Sequence, residues 1–254
     1  MSSDMPIAVV SHDVPTQVVI LAGGLGTRLG PLTTRRPKVL VEILGKPFLA
    51  YQFEWLARYG LRDVVLCVGH LGEQIEAFAG DGSTLGVRLR YAYDPPSHLL
   101  GTAGCLRQAA PLLKDHFVVL NGDSYLPVDL REPLAYFERH RLSALMLVYK
   151  NTDQFDASNA VVRDGWVTFY GRGEDRRVRP DVEFIDYGLR VFRKDVLQHV
   201  APNTRMDLDA LYQALIARHQ LAAYEVREPF YEVGSFPGLA RFRAYRQQME
   251  LGVG

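Results

Sequence analysis

Runs of four or five apolar residues recur along the chain, each closed by glycine or a polar turn. The first, Val18–Ala22, has the composition of a strand buried on both sheet faces. A glycine-rich loop follows it directly. Leu49, Phe53, Leu56 and Tyr59 then recur near helical spacing, so a helix is predicted over Phe48–Tyr59, stopped by Gly60. Val64–Val68 is a second strand of the buried type. A short helix is predicted over Gly72–Phe78 and a turn at Gly80-Asp81-Gly82-Ser83. Val87, Leu89, Tyr91 and Tyr93 alternate with Arg88 and Arg90, the pattern of a half-exposed strand. Thr102–Leu113 reads as a helix, and Phe117–Leu120 as a strand ending in Asn121-Gly122-Asp123. This repetition of strand, loop and helix implies an α/β, Rossmann-like, mainly parallel mixed sheet with helices on both faces.

The pattern changes near residue 141. Leu145–Tyr149 is a strand. Ala160–Arg163 and Trp166–Tyr170 flank Asp164-Gly165, a two-residue hairpin signal. Residues 171–180 form a charged loop. Phe184–Phe192 and Leu221–Val226 are strands, and Leu208–Arg218 is a helix. Ser235 and Pro237 look like the cap and first turn of a C-terminal helix. The expected organisation is an N-terminal extension over 1–16 and one domain over 17–254. That domain has a first half, 17–141, and a mixed half, 142–254.

Composition narrows the classes. The 254 residues are 48% apolar and 23% charged, enough for a sizeable core. Twenty-nine basic side chains balance twenty-nine acidic ones. Neutrality argues against a general nucleic-acid partner, which needs a basic footprint. Cys67 and Cys105 have no metal-ligand spacing, and Cys67 reads as a buried thiol. No apolar run approaches the ~20 residues of a membrane span. The expectation is a cytoplasmic protein without a membrane partner.

Chemistry concentrates at the ends of the first strands, where open α/β sheets bind ligands. The loop runs Leu21-Ala22-Gly23-Gly24-Leu25-Gly26-Thr27-Arg28-Leu29-Gly30-Pro31-Leu32-Thr33, with Pro37-Lys38 after it. Glycines let main-chain N–H groups converge on phosphate oxygens, and Arg28 and Lys38 bring the matching charge. It is not a Walker A loop, because Gly45-Lys46 is followed by Pro47 rather than Ser or Thr. It is not a dinucleotide fingerprint either, because Leu29 fills the third glycine slot.

The full string GGLGTRLGPLT followed by PK resembles the signature of the sugar-1-phosphate nucleotidyltransferases, the NDP-sugar pyrophosphorylases. The resemblance covers about residues 17–245. Its later motifs are Gly80–Ser83, Leu100-Gly101-Thr102-Ala103-Gly104, Asn121-Gly122-Asp123, Tyr187-Gly188 and Tyr231-Glu232-Val233-Gly234-Ser235. It implies a nucleotidyltransferase or GT-A-like fold, with 17–141 binding nucleotide and 142–254 binding sugar. It also implies an enzyme that joins an NTP to a sugar 1-phosphate with Mg²⁺ and releases pyrophosphate. The attacking phosphate is already an anion, so positioning and charge suffice.

On this reading Leu21, Ala22, Gly23, Gly24, Gly26, Thr27 and Arg28 hold the nucleotide, with Gly101 and Thr102 at the base. The family's acid before that base loop appears as Asp94, displaced by Pro95-Pro96-Ser97-His98. Arg28 would stabilise the leaving pyrophosphate and Lys38 the α-phosphate. Asp123 would hold Mg²⁺, with Glu232 as second ligand where the family has Asp. Asn159, Glu183, Asp186 and Gly188 would face the sugar phosphate. Arg172 would stand in for a lysine of the family that this sequence lacks, unless 171–180 is only a solvated loop. A homodimer through the C-terminal helix is left open. Two rivals remain. One is a non-catalytic homologue of the same fold. The other is a glycosyltransferase, whose DxD appears only as Asp207-Leu208-Asp209 at a helix start, where Asp207 reads as a cap.

Overall fold

The computed structural model describes residues 16–95, 98–151, 156–171 and 179–251. The extension predicted over 1–16 lies outside them except for Thr16. In the first half, strands β1 (Gln17–Leu21), β4 (Asp63–Val68), β5 (Arg88–Tyr93) and β6 (His116–Asn121) are interleaved with helices α1 (Phe48–Arg58), α2 (Gly72–Ala79) and α3 (Gly101–Ala109). Short pairs β2 (Glu42–Ile43) with β3 (Lys46–Pro47), and β7 (Ser124–Tyr125) with β13 (Tyr231–Glu232), sit beside the sheet. The second half adds β8 (Ala144–Lys150), β9 (Ala160–Arg163), β10 (Trp166–Tyr170), β11 (Phe184–Arg193) and β12 (Leu221–Val226). It also carries helices α5 (Leu208–Ile216) and α6 (Phe236–Glu250).

All the long strands join one nine-stranded sheet in the order β5-β4-β1-β6-β11-β8-β12-β10-β9. The four first-half strands of this sheet pair in parallel, with β1 between β4 and β6. β11 then enters antiparallel between β6 and β8, so the antiparallel character of this mixed sheet is confined to the second half. The division has a simple cause. Helix crossovers return the chain to the same sheet end, whereas the Asp164-Gly165 hairpin reverses it.

Helices cover both faces. On one face Phe48 and Phe53 of α1, Ile75 of α2 and Phe242 of α6 are buried. On the other, Ala103 and Leu106 of α3 meet Leu211 and Leu215 of α5. Each large side chain so buried contributes about 1.5–3 kcal/mol. Two features depart from the sequence pattern. A helix α4 (Arg131–Arg139), burying Leu134 and Phe137, stands where the pattern predicts none. The alternation in β5 also breaks: Leu89 and Ala92 are buried while Tyr93 is exposed, because β5 is the sheet edge.

Candidate active site

β1 ends at Leu21, and its neighbour β6 ends at Asn121 in register with it. The turn after β6 passes against the end of β1: Gly122 donates its N–H to the Leu21 carbonyl at 3.1 Å. A Cβ on Gly122 would lie 2.4 Å from that oxygen, so only glycine permits the approach. Asp123 thereby emerges at the foot of the glycine loop. Gln52, buried on α1, fixes the turn by donating Nε2 to the carbonyls of Asn121 (2.9 Å) and Ser124 (2.8 Å).

The loop is anchored at its far end. Leu29 is fully buried, and Thr33 donates its hydroxyl to the Gly26 carbonyl at 2.8 Å. Between these anchors Gly23, Gly24, Leu25 and Gly26 donate no hydrogen bond to other described residues. Their N–H groups stay available to a ligand. Lys38 opens a 3-10 turn, Lys38–Leu40, whose Val39 and Leu40 are buried. Its Nζ lies 2.6 Å from Asp123 Oδ2. Burial alone would raise the Asp123 carboxyl, but the Lys38 ammonium and then Arg28 outweigh it and hold it below its ordinary value.

Gly234 marks where the charges meet. A Cβ there would lie 2.7 Å from an Arg28 guanidinium nitrogen, 2.8 Å from Glu232 Oε2 and 3.1 Å from Asp123 Oδ2. Arg28 nevertheless makes no ion pair among the described residues. Glu232 is oriented by the Gly234 N–H at 2.6 Å and by the Ser235 hydroxyl. Ser235 also caps α6 through the Gly238 N–H at 3.1 Å. The hydroxyl therefore joins the cap to the carboxylate.

Two cavities meet at this cluster. One, about 590 Å³, is lined by the predicted nucleotide residues Leu21, Ala22, Gly23, Gly24, Gly26, Thr27, Gly101 and Thr102, with Arg28, Lys38 and Asp123. Arg205, Asp94 and the buried thiols Cys67 and Cys105 also line it. The Asp94 carboxyl is raised by burial, and one of its oxygens accepts the Leu100 N–H at 3.2 Å. The other cavity, about 800 Å³, shares Arg28, Thr102, Asn121 and Asp123 with the first and adds Asn159, Asp186, Gly188, Arg190, Glu232 and Arg241.

Several predicted residues are placed otherwise than expected. Glu183 lines neither cavity; it precedes β11 and pairs with the exposed Lys150 at 3.5 Å. Asp186 lines the second cavity but is spent on a buried ion pair with Arg190, and its Oδ1 accepts the Gly188 N–H at 3.0 Å. Arg190 is further held by Asn121 Oδ1 at 2.6 Å. Burial opposes its charge, yet the Asp186 carboxylate raises the guanidinium above its ordinary value. The oxygen of the Asn159 side chain accepts the Asp186 N–H at 2.8 Å. Gly188 sits at φ +94 where the register of β11 against β8 shifts, beside Ser124. Arg172 lies outside the described residues. Its neighbour Arg179 is committed to Asp181 and the Phe169 ring.

Asp207 stands at the cap position of α5, but its carboxylate does not cap that helix. It accepts the N–H of Thr102 at 3.1 Å, while the Thr102 hydroxyl accepts the Leu208 N–H at 2.8 Å. This cross-cap ties α3 to α5 and occupies the first aspartate of the only DxD. Sequence reasoning missed Gln52, Arg190 and Arg205. The available signals were a glutamine on an apolar helix face and an arginine inside an apolar strand. Arg205 offers no such signal.

Residues 17–170 match the family model described as Nucleotidyl transferase. The chain belongs to the nucleotidyl transferase family. The chain is 26% identical to D-glycero-alpha-D-manno-heptose 1-phosphate guanylyltransferase of Campylobacter jejuni over 86% of its length and 94% of that protein. It is 30% identical to mannose-1-phosphate guanylyltransferase of Mycobacterium tuberculosis over 82% of this chain, spanning only 56% of the relative's length. Its fold is shared with HddC from Yersinia pseudotuberculosis, solved in complex with GMP-PN. The TM-score is 0.75 at 21% identity, covering 91% of this chain and 99% of that one. Among the described residues no helix is long and apolar enough to cross a membrane.

Proposed function

We propose that this protein moves a nucleoside monophosphate from an NTP to a sugar 1-phosphate, releasing pyrophosphate. The reading rests on one observation: Arg28, Lys38, Asp123 and Glu232 gather where the two cavities join. The names of the relatives support the same reaction class. The triphosphate lies along the glycine loop, with the base toward Asp94, Gly101 and Thr102. The sugar phosphate enters from the cavity of the second half. One of its phosphate oxygens bonds to the α-phosphorus, and the bond from that phosphorus to the bridging oxygen of the β-phosphate breaks. The bridging oxygen keeps the electron pair and leaves with pyrophosphate.

Each side chain has an electrostatic task. Arg28, which makes no ion pair among the described residues, takes charge growing on the leaving pyrophosphate. Lys38 keeps the two phosphate anions from repelling each other as they close. The pair of carboxylates suits Mg²⁺, a hard cation that binds one or two carboxylates and completes its shell with substrate phosphates and water. Asp123 and Glu232 would hold it, and it would supply charge neutralisation at the phosphates.

The test is a pyrophosphate-release screen of four NTPs against a panel of sugar 1-phosphates with Mg²⁺. The expected result is release with one NTP and sugar phosphate at least ~10-fold above other pairs. NTP binding without release by any pair would instead support the non-catalytic homologue.

A further inference from the structure

Arg205 lines the nucleotide cavity but has no part in the phosphate chemistry above. It is exposed and makes no hydrogen bond or ion pair among the described residues. It comes from the second half of the chain, just before α5, yet its segment is fixed main chain to main chain on the start of α3. Met206 donates its N–H to the Leu100 carbonyl at 2.8 Å. The Met206 carbonyl in turn accepts the N–H groups of Ala103 at 2.9 Å and Gly104 at 3.0 Å. A Cβ on Gly101 would lie 2.7 Å from the Met206 carbonyl oxygen, and one on Gly104 2.7 Å from that of Thr204. The two backbones are therefore in direct contact. The cross-cap between Thr102 and Asp207 closes the same seam. Arg205 is thus mounted on a rigid joint beside Gly101 and Thr102, at the end of the cavity where the proposed reaction puts the base.

The acids at this end do not neutralise it. Asp94 turns one oxygen to the Leu100 N–H, and Asp207 turns one to the Thr102 N–H. What Arg205 presents is a planar fork of donors with no acceptor. Its complement on a base is a pair of adjacent acceptors. Guanine has such a pair, O6 and N7. Adenine sets an amino donor beside N7, cytosine offers an amino donor, and uracil and thymine offer one oxygen beside a carbon.

We propose that Arg205 reads the base by bonding O6 and N7 of guanine, and that this contact selects GTP among the nucleotides. The assignment rests on the nucleotide lying along the glycine loop, as in the reaction proposed above. It also gives the seam between α3 and α5 a purpose. The two halves of the chain are locked together where one supplies the floor under the base and the other the side chain that reads it.

The test is calorimetric titration of GTP, ATP and 7-deaza-GTP into the full chain with Mg²⁺ and no sugar phosphate. GTP should bind at least ~10-fold more tightly than ATP. Replacing N7 by carbon in 7-deaza-GTP should weaken binding at least ~3-fold. In Arg205→Met both differences should shrink to within ~2-fold, with circular dichroism unchanged. Equal affinity of the unaltered protein for GTP and ATP would overturn the assignment. So would an undiminished GTP preference in Arg205→Met, or an equal loss for both nucleotides, which would mark Arg205 as a phosphate contact. Indifference of the unaltered protein to the N7 replacement would overturn it without recourse to any variant. These titrations need no turnover. Selective GTP binding with no pyrophosphate release from any sugar phosphate would therefore sink the proposed reaction and leave Arg205 as the base reader, whereas no binding of any nucleotide would sink both.

Discussion

The two cavities that meet at Gly234 are built on opposite plans. The nucleotide side is mostly main chain: close turns, loop amides that donate to no other described residue, and an arginine with no ion pair among the described residues. The second side is mostly side chain, and four of its polar residues are already committed to one another. Asp186, Arg190, Asn121 and Asn159 form a bonded chain before any ligand arrives. A surface of unspent donors binds whatever anion fits it. A surface of satisfied groups selects by shape, and what it offers a ligand is its few remaining lone pairs and N–H groups.

This contrast can be broken from either side. The largest effect is expected at Arg190. Arg190→Met should cost about 3–5 kcal/mol in urea unfolding, because Asp186 is left buried and unpaired; adding Asp186→Leu should recover most of it. Nucleotide affinity should hardly move. On the nucleotide side, Arg28→Ala and Asp123→Ala should each lower turnover at least ~10²-fold, with circular dichroism unchanged. Near-normal turnover in a folded variant would remove that residue from the mechanism. Gln52→Leu should cost about 1–3 kcal/mol, since two buried carbonyls lose their donor. It should lower kcat more than it raises KM if the turn it holds positions Asp123.

The smallest effect is one of pH. The Asp123 carboxyl is held below its ordinary value, so the stability it brings is complete above the unfolded value of about 4. That stability is lost as pH falls through the folded value. The stability gap between the protein and Asp123→Asn should therefore be flat from about pH 8 to about pH 5 and close below about pH 4. A gap that closed nearer neutrality would show that Lys38 and Arg28 do not dominate its surroundings.

The same contrast decides what the sequence discloses. β1, β4 and β6 are legible because both their faces are buried and almost every residue is apolar. The glycine loop is legible because its chemistry is local: the residues that make the cradle are consecutive. The Asp186–Arg190–Asn121 network is not, because Asn121 and Arg190 lie 69 positions apart and meet only through sheet register. Glu183 misleads for a related reason. Its place before β11 is plain, but that it pairs outward with Lys150 depends on a strand far off in the chain. Helix α4 is hidden by its own charges. Arg131, Glu132, Glu138 and Arg139 surround a narrow apolar stripe, and Pro133 argues against a helix until its place in the first turn is known.

A side chain at position 234 fits only if the ends of the charged side chains around it shift. A methyl group there would leave every charge in place, yet it would crowd a guanidinium and two carboxylates at once. The tolerance of this centre is therefore set by vacant volume as much as by ionic composition, and one uncharged atom reaches all three groups together.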